Sequence, residues 1–280
     1  MILVTGAAGN AARHLPAALV QAGEQVRVLV RDDGGAVWPE GVEVVRADLR
    51  DAQGVAAALA GVSSVFLLLA EDGGAGFAAA ARGARLDRVV VLSSKAVSDA
   101  EFAGLDNPLY GKHLRGEEFV RGLGVPWVFL RPGGLASNAL RWAGSIRRDG
   151  VVRALFPQLA APLLDPRDLA EVARAALLED GHEGRVHTLT GGRIITVREQ
   201  VRVLAEAAGR PIRFEEISEE QAPAVLGPTL PPGFLGVYIP VQKRYLETTP
   251  VVLPAVENIL GRPARDFRDW AYENAARFRD

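Results

Sequence analysis

The chain opens with short apolar runs separated by longer segments whose apolar residues recur at helical spacing. The runs at Ile2 to Thr5, Gln25 to Val30, Val42 to Arg46, Ser64 to Leu69 and Arg88 to Leu92 predict strands, the fourth with so little polar content that both of its faces should be covered. Helices are predicted between them, from near Asn10 to Gly23, from Asp51 to Ala60 and from Gly76 to Arg85. Pro16 then falls inside the first helix and is expected to bend its second turn. Strands and helices alternating at this spacing call for right-handed crossovers and a parallel, doubly wound α/β sheet. Further on, Asn107 can cap a helix, Pro108 suits its first position and Gly124 follows its end. A strand from Trp127 to Arg131 is broken by Pro132-Gly133-Gly134. A helix follows from Asp165 to Leu178, then a strand from Arg185 to Leu189.

Past Gly191 the pattern changes. Helices are predicted around Val197 to Ala208, Val251 to Leu260 and Asp266 to Phe278, with a proline-rich stretch from Ala222 to Pro240. The expected organisation is a sheet domain over 1–190 and a smaller C-terminal α/β lobe over 191–280, interleaved with the core and lying over the sheet's C-terminal edge.

The first strand runs straight into Thr5-Gly6-Ala7-Ala8-Gly9-Asn10-Ala11-Ala12. A glycine turn between a strand and a helix suits a dinucleotide pyrophosphate: Gly6 permits the turn, Gly9 lets the anion approach the main chain, and small Ala12 lets the helix lie close to the strand. The sheet is therefore expected to be of the Rossmann type. Arg31 ends the second strand, where a carboxylate would bind the ribose hydroxyl of NAD and an arginine the 2′-phosphate of NADP. NADP(H) is expected in preference to NAD(H), with adjacent Asp32 and Asp33 pulling the other way.

Composition narrows the function classes. At 280 residues, with 49% hydrophobic and 24% charged residues, the chain can bury a full core. A formal net charge of −2 without long like-charge runs gives no footprint for nucleic acid or a membrane surface. Without cysteine there is no disulfide or thiolate chemistry, and the histidines at 14, 113, 182 and 187 lack metal-ligand spacing. The N-terminal run reads as a core strand rather than a signal peptide, so a cytoplasmic location is expected.

An ordered set of segments resembles a known family. Thr5 to Ala12, Val28-Leu29-Val30-Arg31-Asp32, Asp48-Leu49-Arg50-Asp51 and Val91-Leu92-Ser93-Ser94 come first. Glu117 or Glu118, Val128 to Gly133, Leu164 to Ala170, Thr188 to Gly191 and Leu260 to Pro263 with Phe267 and Trp270 follow. The set is similar to atypical short-chain dehydrogenase/reductases of the NmrA-like type, which include NAD(P)H-dependent quinone and azo-dye reductases and cofactor-sensing regulators. The resemblance implies that Gly6, Gly9 and Asn10 bind the pyrophosphate, Arg31 the 2′-phosphate, and Asp48 and Leu49 the adenine. Leu68, Leu69 and Ala70 would line the ribose side, Pro132 and Gly133 would border the nicotinamide, and Thr5, Ala11 and Ser93 complete the cofactor set. Asp48 can also be read as a turn cap, and Asp168 as the cap of its own helix rather than a catalytic group.

Typical short-chain reductases carry Tyr-x-x-x-Lys on one helix face, the lysine making the phenol a better proton donor. Here Leu114 stands four residues after Tyr110. Shifting the register by one puts Leu109 and His113 at the two positions, and Lys112 lies about 200° round the helix from Tyr110. The candidates for side-chain acid chemistry are Tyr110 and His113, with Ser94 orienting the substrate; a packed aromatic and a surface histidine are the plain alternatives. Without the dyad, an electron-poor acceptor such as a quinone is easier to reduce than an unactivated ketone, because positioning and a backbone amide or water can meet the developing charge. Phe234, Tyr238 and Tyr245 could form a lid over a small apolar substrate.

The leading expectation is an NADPH-dependent oxidoreductase acting on such an acceptor, as a monomer or homodimer. The alternatives are a non-catalytic NADP(H) sensor with a protein partner, and a biosynthetic ketone or imine reductase or an isomerase of the same fold.

Overall fold

The computed structural model describes residues 1–32, 35–98, 108–230 and 233–279. In chain order come β1 (Ile2–Thr5), α1 (Leu15–Gln21), β2 (Val26–Val30), β3 (Glu43–Arg46), α2 (Ala52–Ala58), β4 (Ser64–Leu68), α3 (Ala75–Ala81) and β5 (Arg88–Leu92). Then follow α4 (Pro108–Arg121), β6 (Trp127–Pro132), α5 (Ala143–Asp149), β7 (Val151–Ala154), β8 (Ala160–Pro162), α6 (Pro166–Leu178) and β9 (Arg185–Leu189). The last are β10 (Ile194–Thr196), α7 (Val197–Ala208), β11 (Arg213–Glu216), α8 (Ala222–Leu226), α9 (Leu235–Leu246), α10 (Ala255–Leu260) and α11 (Phe267–Glu273).

Two compact units result. The first is Met1–Gly133, Pro166–Leu189 and Ala255–Arg262; the second is Gly134–Asp165, Thr190–Pro254 and Pro263–Asp280. The division is therefore not a single cut after residue 190. Residues 134–165 fold with the later segments because α5, Trp142 and β7 share their core, and α10 returns to the first unit.

The first unit is one parallel sheet in the order β3-β2-β1-β4-β5-β6-β9. Alternate residues on a strand face opposite sides. Leu3, Leu29, Val65, Leu67, Val89, Val91 and Phe129 share a core with α2, α3 and α4. Their neighbours Ile2, Val4, Val28, Phe66 and Val90 are equally buried, and α6 packs on β4, β5 and β6 with α1 beside it. Covering both faces explains why the strands read as unbroken apolar runs. Arg27 is the exception within β2: its guanidinium donates to the Ala58 and Ala60 carbonyls at 2.6 and 2.7 Å and pairs with Glu43 at 2.9 Å, finishing the end of α2. Asp168 is fully buried and accepts from Arg262 at 2.8 Å, so it anchors the C-terminal return rather than only capping α6.

The second unit has its own core of Trp142, Ile146, Val201, Leu204, Phe267, Trp270 and Phe278. Two small sheets flank it, β7 with β11 in parallel and β8 with β10 antiparallel. Reciprocal caps start its helices, Thr196 with Glu199 for α7 and Asp266 with Asp269 for α11.

Three expectations change. The first helix begins at Leu15 rather than near Asn10, after a series of turns, so Pro16 occupies its first turn, where a missing N–H costs nothing, and not the interior position at which a bend is expected. The proline-rich stretch contains α8 and α9, with Pro240 inside α9. The short strands of the second unit and α5 had no counterpart in the sequence pattern. Asn107 and Asp33 lie outside the described residues. Among the described residues no helix is long and apolar enough to cross a membrane.

Candidate functional site

In the first unit the strand order reverses at β1: β2 and β3 lie to one side, β4 and the later strands to the other. Crossovers leaving in opposite directions open a crevice at the carboxyl ends of the strands, where open α/β sheets take their ligands. A cavity of about 350 Å³ lies there. It brings together Thr5 and Gly6 after β1, Arg31 after β2, Asp48 and Leu49 after β3, and Leu68, Leu69 and Ala70 at the end of β4.

Gly6 has φ +69°, and a Cβ built on it would stand 2.2 Å from Leu68 Cδ2 and 2.9 Å from Leu68 Cβ. Only glycine satisfies both the left-handed turn and the approach to β4. Thr5 fixes the same spacing from its own side chain: Oγ1 donates to the Phe66 carbonyl at 3.3 Å and accepts the Leu68 N–H at 2.7 Å. Its hydroxyl is thus engaged by β4. Beyond Gly6 the chain turns through Gly9, whose N–H donates to the Gly6 carbonyl at 3.0 Å. Gly9 and Asn10 are exposed and Ala11 is half-buried, while Ala7 and Ala12 are buried beneath them. The side of the turn away from the core thus carries Gly9 without a side chain, flanked by Ala8 and Asn10, and leaves main chain open to an anion such as a pyrophosphate.

At the other end of the cavity Asp48 is gripped by Arg50: Nε and Nη2 donate to its two oxygens at 2.9 and 2.6 Å, and the Arg50 N–H adds a third bond at 2.9 Å. These hydrogen bonds, together with the charges of Arg50 and Arg31, hold the Asp48 carboxyl well below the usual carboxylate range. Arg31, exposed at the rim, makes no hydrogen bond or close ion pair among the described residues. Asp48 and Arg50 pair with one another, which leaves the Arg31 guanidinium open to an anion at these strand ends, with the Asp32 carboxylate beside it in the cavity lining. Arg50 was not anticipated, because only its side-chain fork onto Asp48 brings it to the cavity.

Helix α4 comes close to the end of β4 at Gly116, where a Cβ would meet Leu69 Cδ1 at 2.4 Å and the Gly73 carbonyl at 2.9 Å. That approach sets Lys112 in the cavity wall. Burial lowers the Lys112 pKa, against the opposing charge of Glu71. Tyr110 is half-buried on α4 and is not part of the cavity wall. His113 is not the surface residue considered above: it is 7% exposed and its Nδ1 has no partner. Burial, reinforced by the Lys112 charge, pushes it down to about 3.

A folded-state value below the unfolded one means that the unfolded chain binds more protons between about 3 and 6.5. Stability contributed by neutral His113 is then complete above pH 6.5 and is lost as pH falls, with a slope of up to about 1.4 kcal/mol per unit. Melting temperatures measured from pH 7.5 to 4.5 should fall more steeply for the native protein than for His113→Leu. Part of the slope should remain in the variant, since burial also lowers His182 and His187. Identical slopes would mean that His113 is not held neutral.

The remaining predicted residues lie along the same sheet edge, outside the cavity wall. Ser93 is buried at the end of β5 and donates to Glu117 Oε1 at 2.6 Å; Glu117 is fully buried and forked by Arg131 at 2.8 and 2.6 Å. The Ser93 hydroxyl is therefore spent inside the protein. Ser94 Oγ accepts the Ala96 N–H at 3.2 Å and starts the 3-10 turn Lys95–Val97. Pro132 and Gly133 end β6, with the Gly133 N–H on the Leu189 carbonyl at 2.9 Å and the Lys95 stem nearby.

A family model for the NmrA-like family matches residues 1–241. The chain is 40% identical to a (4-alkanoyl-5-oxo-2,5-dihydrofuran-3-yl)methyl phosphate reductase of Streptomyces griseus subsp. griseus, over 99% of each chain. It is 32% identical to an NAD(P)H azoreductase of Xenophilus azovorans, again over 99% of each. Among solved structures, the NADPH-dependent quinone oxidoreductase of Escherichia coli complexed with NADPH is 22% identical, covers 98% of this chain and 99% of its own, and superposes with a TM-score of 0.78, a likeness of fold.

Proposed function

Because the chain belongs to the NmrA-like family and is an NAD(P)H-dependent oxidoreductase, we propose that NADPH is its preferred donor and that its acceptor is a small electron-poor conjugated molecule, a quinone or a carbonyl-conjugated alkene. In this reading the turn from Gly6 to Asn10 holds the pyrophosphate, Arg31 meets the 2′-phosphate, and Leu49, Leu68, Leu69 and Ala70 line the adenosine and ribose. Lys112 adds a point charge on the far wall. Bound NADPH supplies a hydride, and the residues at the ends of β5 and β6 border the nicotinamide.

The observation that carries the acceptor class is on α4. Leu114 stands four residues after Tyr110, and His113 is buried and neutral, so the helix offers no phenol sharpened by a lysine. Hydride added to a conjugated acceptor leaves its charge on a delocalised enolate or hydroquinone oxygen, which a main-chain N–H can stabilise by hydrogen bonding and water can protonate. An unactivated ketone would leave a far more basic alkoxide. The name of the 40% identical relative describes a ring alkene conjugated to two carbonyls, which fits the same class.

NADPH and NADH are titrated against tryptophan fluorescence, and cofactor absorbance is then followed with quinones, activated alkenes and simple ketones. Arg31→Ala should weaken NADPH about tenfold or more while changing NADH by less than about twofold. Equal losses would remove the 2′-phosphate assignment, and comparable turnover of simple ketones would remove the acceptor class.

A further inference from the structure

Taking the cavity of the first unit as the NAD(P)H site, as above, we propose that Arg50 holds the adenine by its face, its guanidinium serving as the stacking plane. Asp48 is then the positioning residue behind it, and the purine's amino group goes unread. All the residues concerned belong to the first unit.

A carboxylate has about four acceptor positions, and an adenine amino group at this strand end would need one of them. At Asp48 three are taken by a single residue. Oδ1 accepts both the Arg50 main-chain N–H and Nε, each at 2.9 Å, and Oδ2 accepts Nη2 at 2.6 Å. The same three bonds lock the guanidinium in place. They engage its edge, while the Arg50 side chain stays 52% exposed and lines the cavity with Leu49 and Leu69.

The main chain beneath Arg50 is fixed as well. The Asp51 N–H donates to the Asp48 carbonyl at 2.9 Å and closes a turn. Behind that turn Gly76 of α3 comes so close that a Cβ there would stand 2.6 Å from the Leu49 and Arg50 carbonyl oxygens. An arginine held at its edge and at its backbone has already lost most of its rotamer freedom, so little entropy remains to be lost when a ring is laid on it.

The surrounding charge favours a base over a phosphate at this position. The carboxylates of Asp48, Glu71 and Asp72 all act on Arg50. A phosphate brought to this guanidinium would meet three anions, whereas a purine ring carries no net charge for them to repel. Bases stack on guanidinium planes, and the cation adds an attraction to the ring. Arg31, which makes no hydrogen bond among the described residues, is left for the 2′-phosphate.

Tryptophan fluorescence titrations with NADPH, NADH and the reduced hypoxanthine analogue of NADPH, in which an oxygen replaces the adenine amino group, test the assignment. The native protein should bind the analogue within about threefold of NADPH. Arg50→Gln should weaken NADPH and NADH by the same factor, about fivefold or more, and Arg50→Lys should do no better, because an ammonium restores the charge but not the plane. Asp48→Asn, which loosens the fork, should weaken both cofactors by a smaller factor and leave the analogue in step with NADPH. The Tm of Arg50→Gln should stay within about 2 °C of native, since the pair is an exposed one. Unchanged affinities in Arg50→Gln would overturn the stacking role. A loss confined to NADPH, or one recovered in Arg50→Lys, would also overturn it and make Arg50 a phosphate ligand. A native preference for NADPH over the analogue of about tenfold or more that disappears in Asp48→Asn would overturn the unread amino group and give Asp48 that contact. Failure of the native protein to bind any of the three would overturn the cofactor site itself.

Discussion

Glu117→Ala should lower folding stability by about 3 to 5 kcal/mol, because it strands a buried cation. Glu117 has no solvent exposure, and its carboxylate accepts from Ser93 Oγ, from Arg131 Nε and Nη2, and from Arg121 Nη2 at 3.2 Å. Arg131 is itself mostly shielded, at 14% side-chain exposure, and without Glu117 its remaining hydrogen-bond partner among the described residues would be the Ser98 hydroxyl, 3.0 Å away. Arg121 would fare better, since it is partly solvated and stacks on Trp127 and Phe129. For a chain of this size the loss corresponds to a fall in Tm of roughly 5 to 9 °C. Glu118→Ala removes an exposed carboxylate from the same helix and should stay within about 0.5 kcal/mol of the native protein. A Tm for Glu117→Ala within about 2 °C of native would show that the network contributes little. The network also joins the ends of β5 and β6 to α4, so Glu117→Gln, which keeps the shape without the charge, should fall between the two.

The sequence was legible where local chemistry decides the outcome. β1, the turn at Gly6 and the position of Arg31 follow from a buried strand meeting a residue without a side chain, and the parallel sheet follows from strands that must be covered on both faces. The start of α1 was not legible, because the alanine-rich run after Gly9 has good helix propensity; the determining feature was Pro16, which suits a first turn better than an interior. The angle of Lys112 from Tyr110 on the helix gives no sign of its position. Its place in the cavity comes instead from Gly116 meeting Leu69 and Gly73, a contact between distant parts of the chain. Ser93 shows the same limit: its hydroxyl is committed to Glu117, and Thr5 is likewise committed to β4. The strands of the second unit are three or four residues long and largely exposed or half-exposed in three of the four, too short for a period-two pattern to register.

Gly6→Ala and Gly9→Ala should both weaken NADPH and NADH, but for different reasons, and the contrast tests the turn as a cofactor site. At Gly6 the methyl meets β4 and the backbone is left-handed, so the strand end must shift. Affinity for both cofactors should fall by roughly a hundredfold, with a lowered Tm, since left-handed backbone alone costs an alanine about 1 to 2 kcal/mol. At Gly9 the φ is ordinary and the methyl meets only the Gly6 carbonyl, at 3.3 Å. The fold should therefore survive, with Tm changed by about 2 °C or less. The new methyl would nonetheless stand on the exposed turn where the pyrophosphate is proposed to approach. Affinity should drop about tenfold or more for both cofactors, unlike Arg31→Ala, which distinguishes them by the 2′-phosphate. Native affinity for both cofactors in a well-folded Gly9→Ala protein would mean that the phosphate lies elsewhere. A loss at Gly9 confined to NADPH would instead put the 2′-phosphate, rather than the pyrophosphate, against this turn.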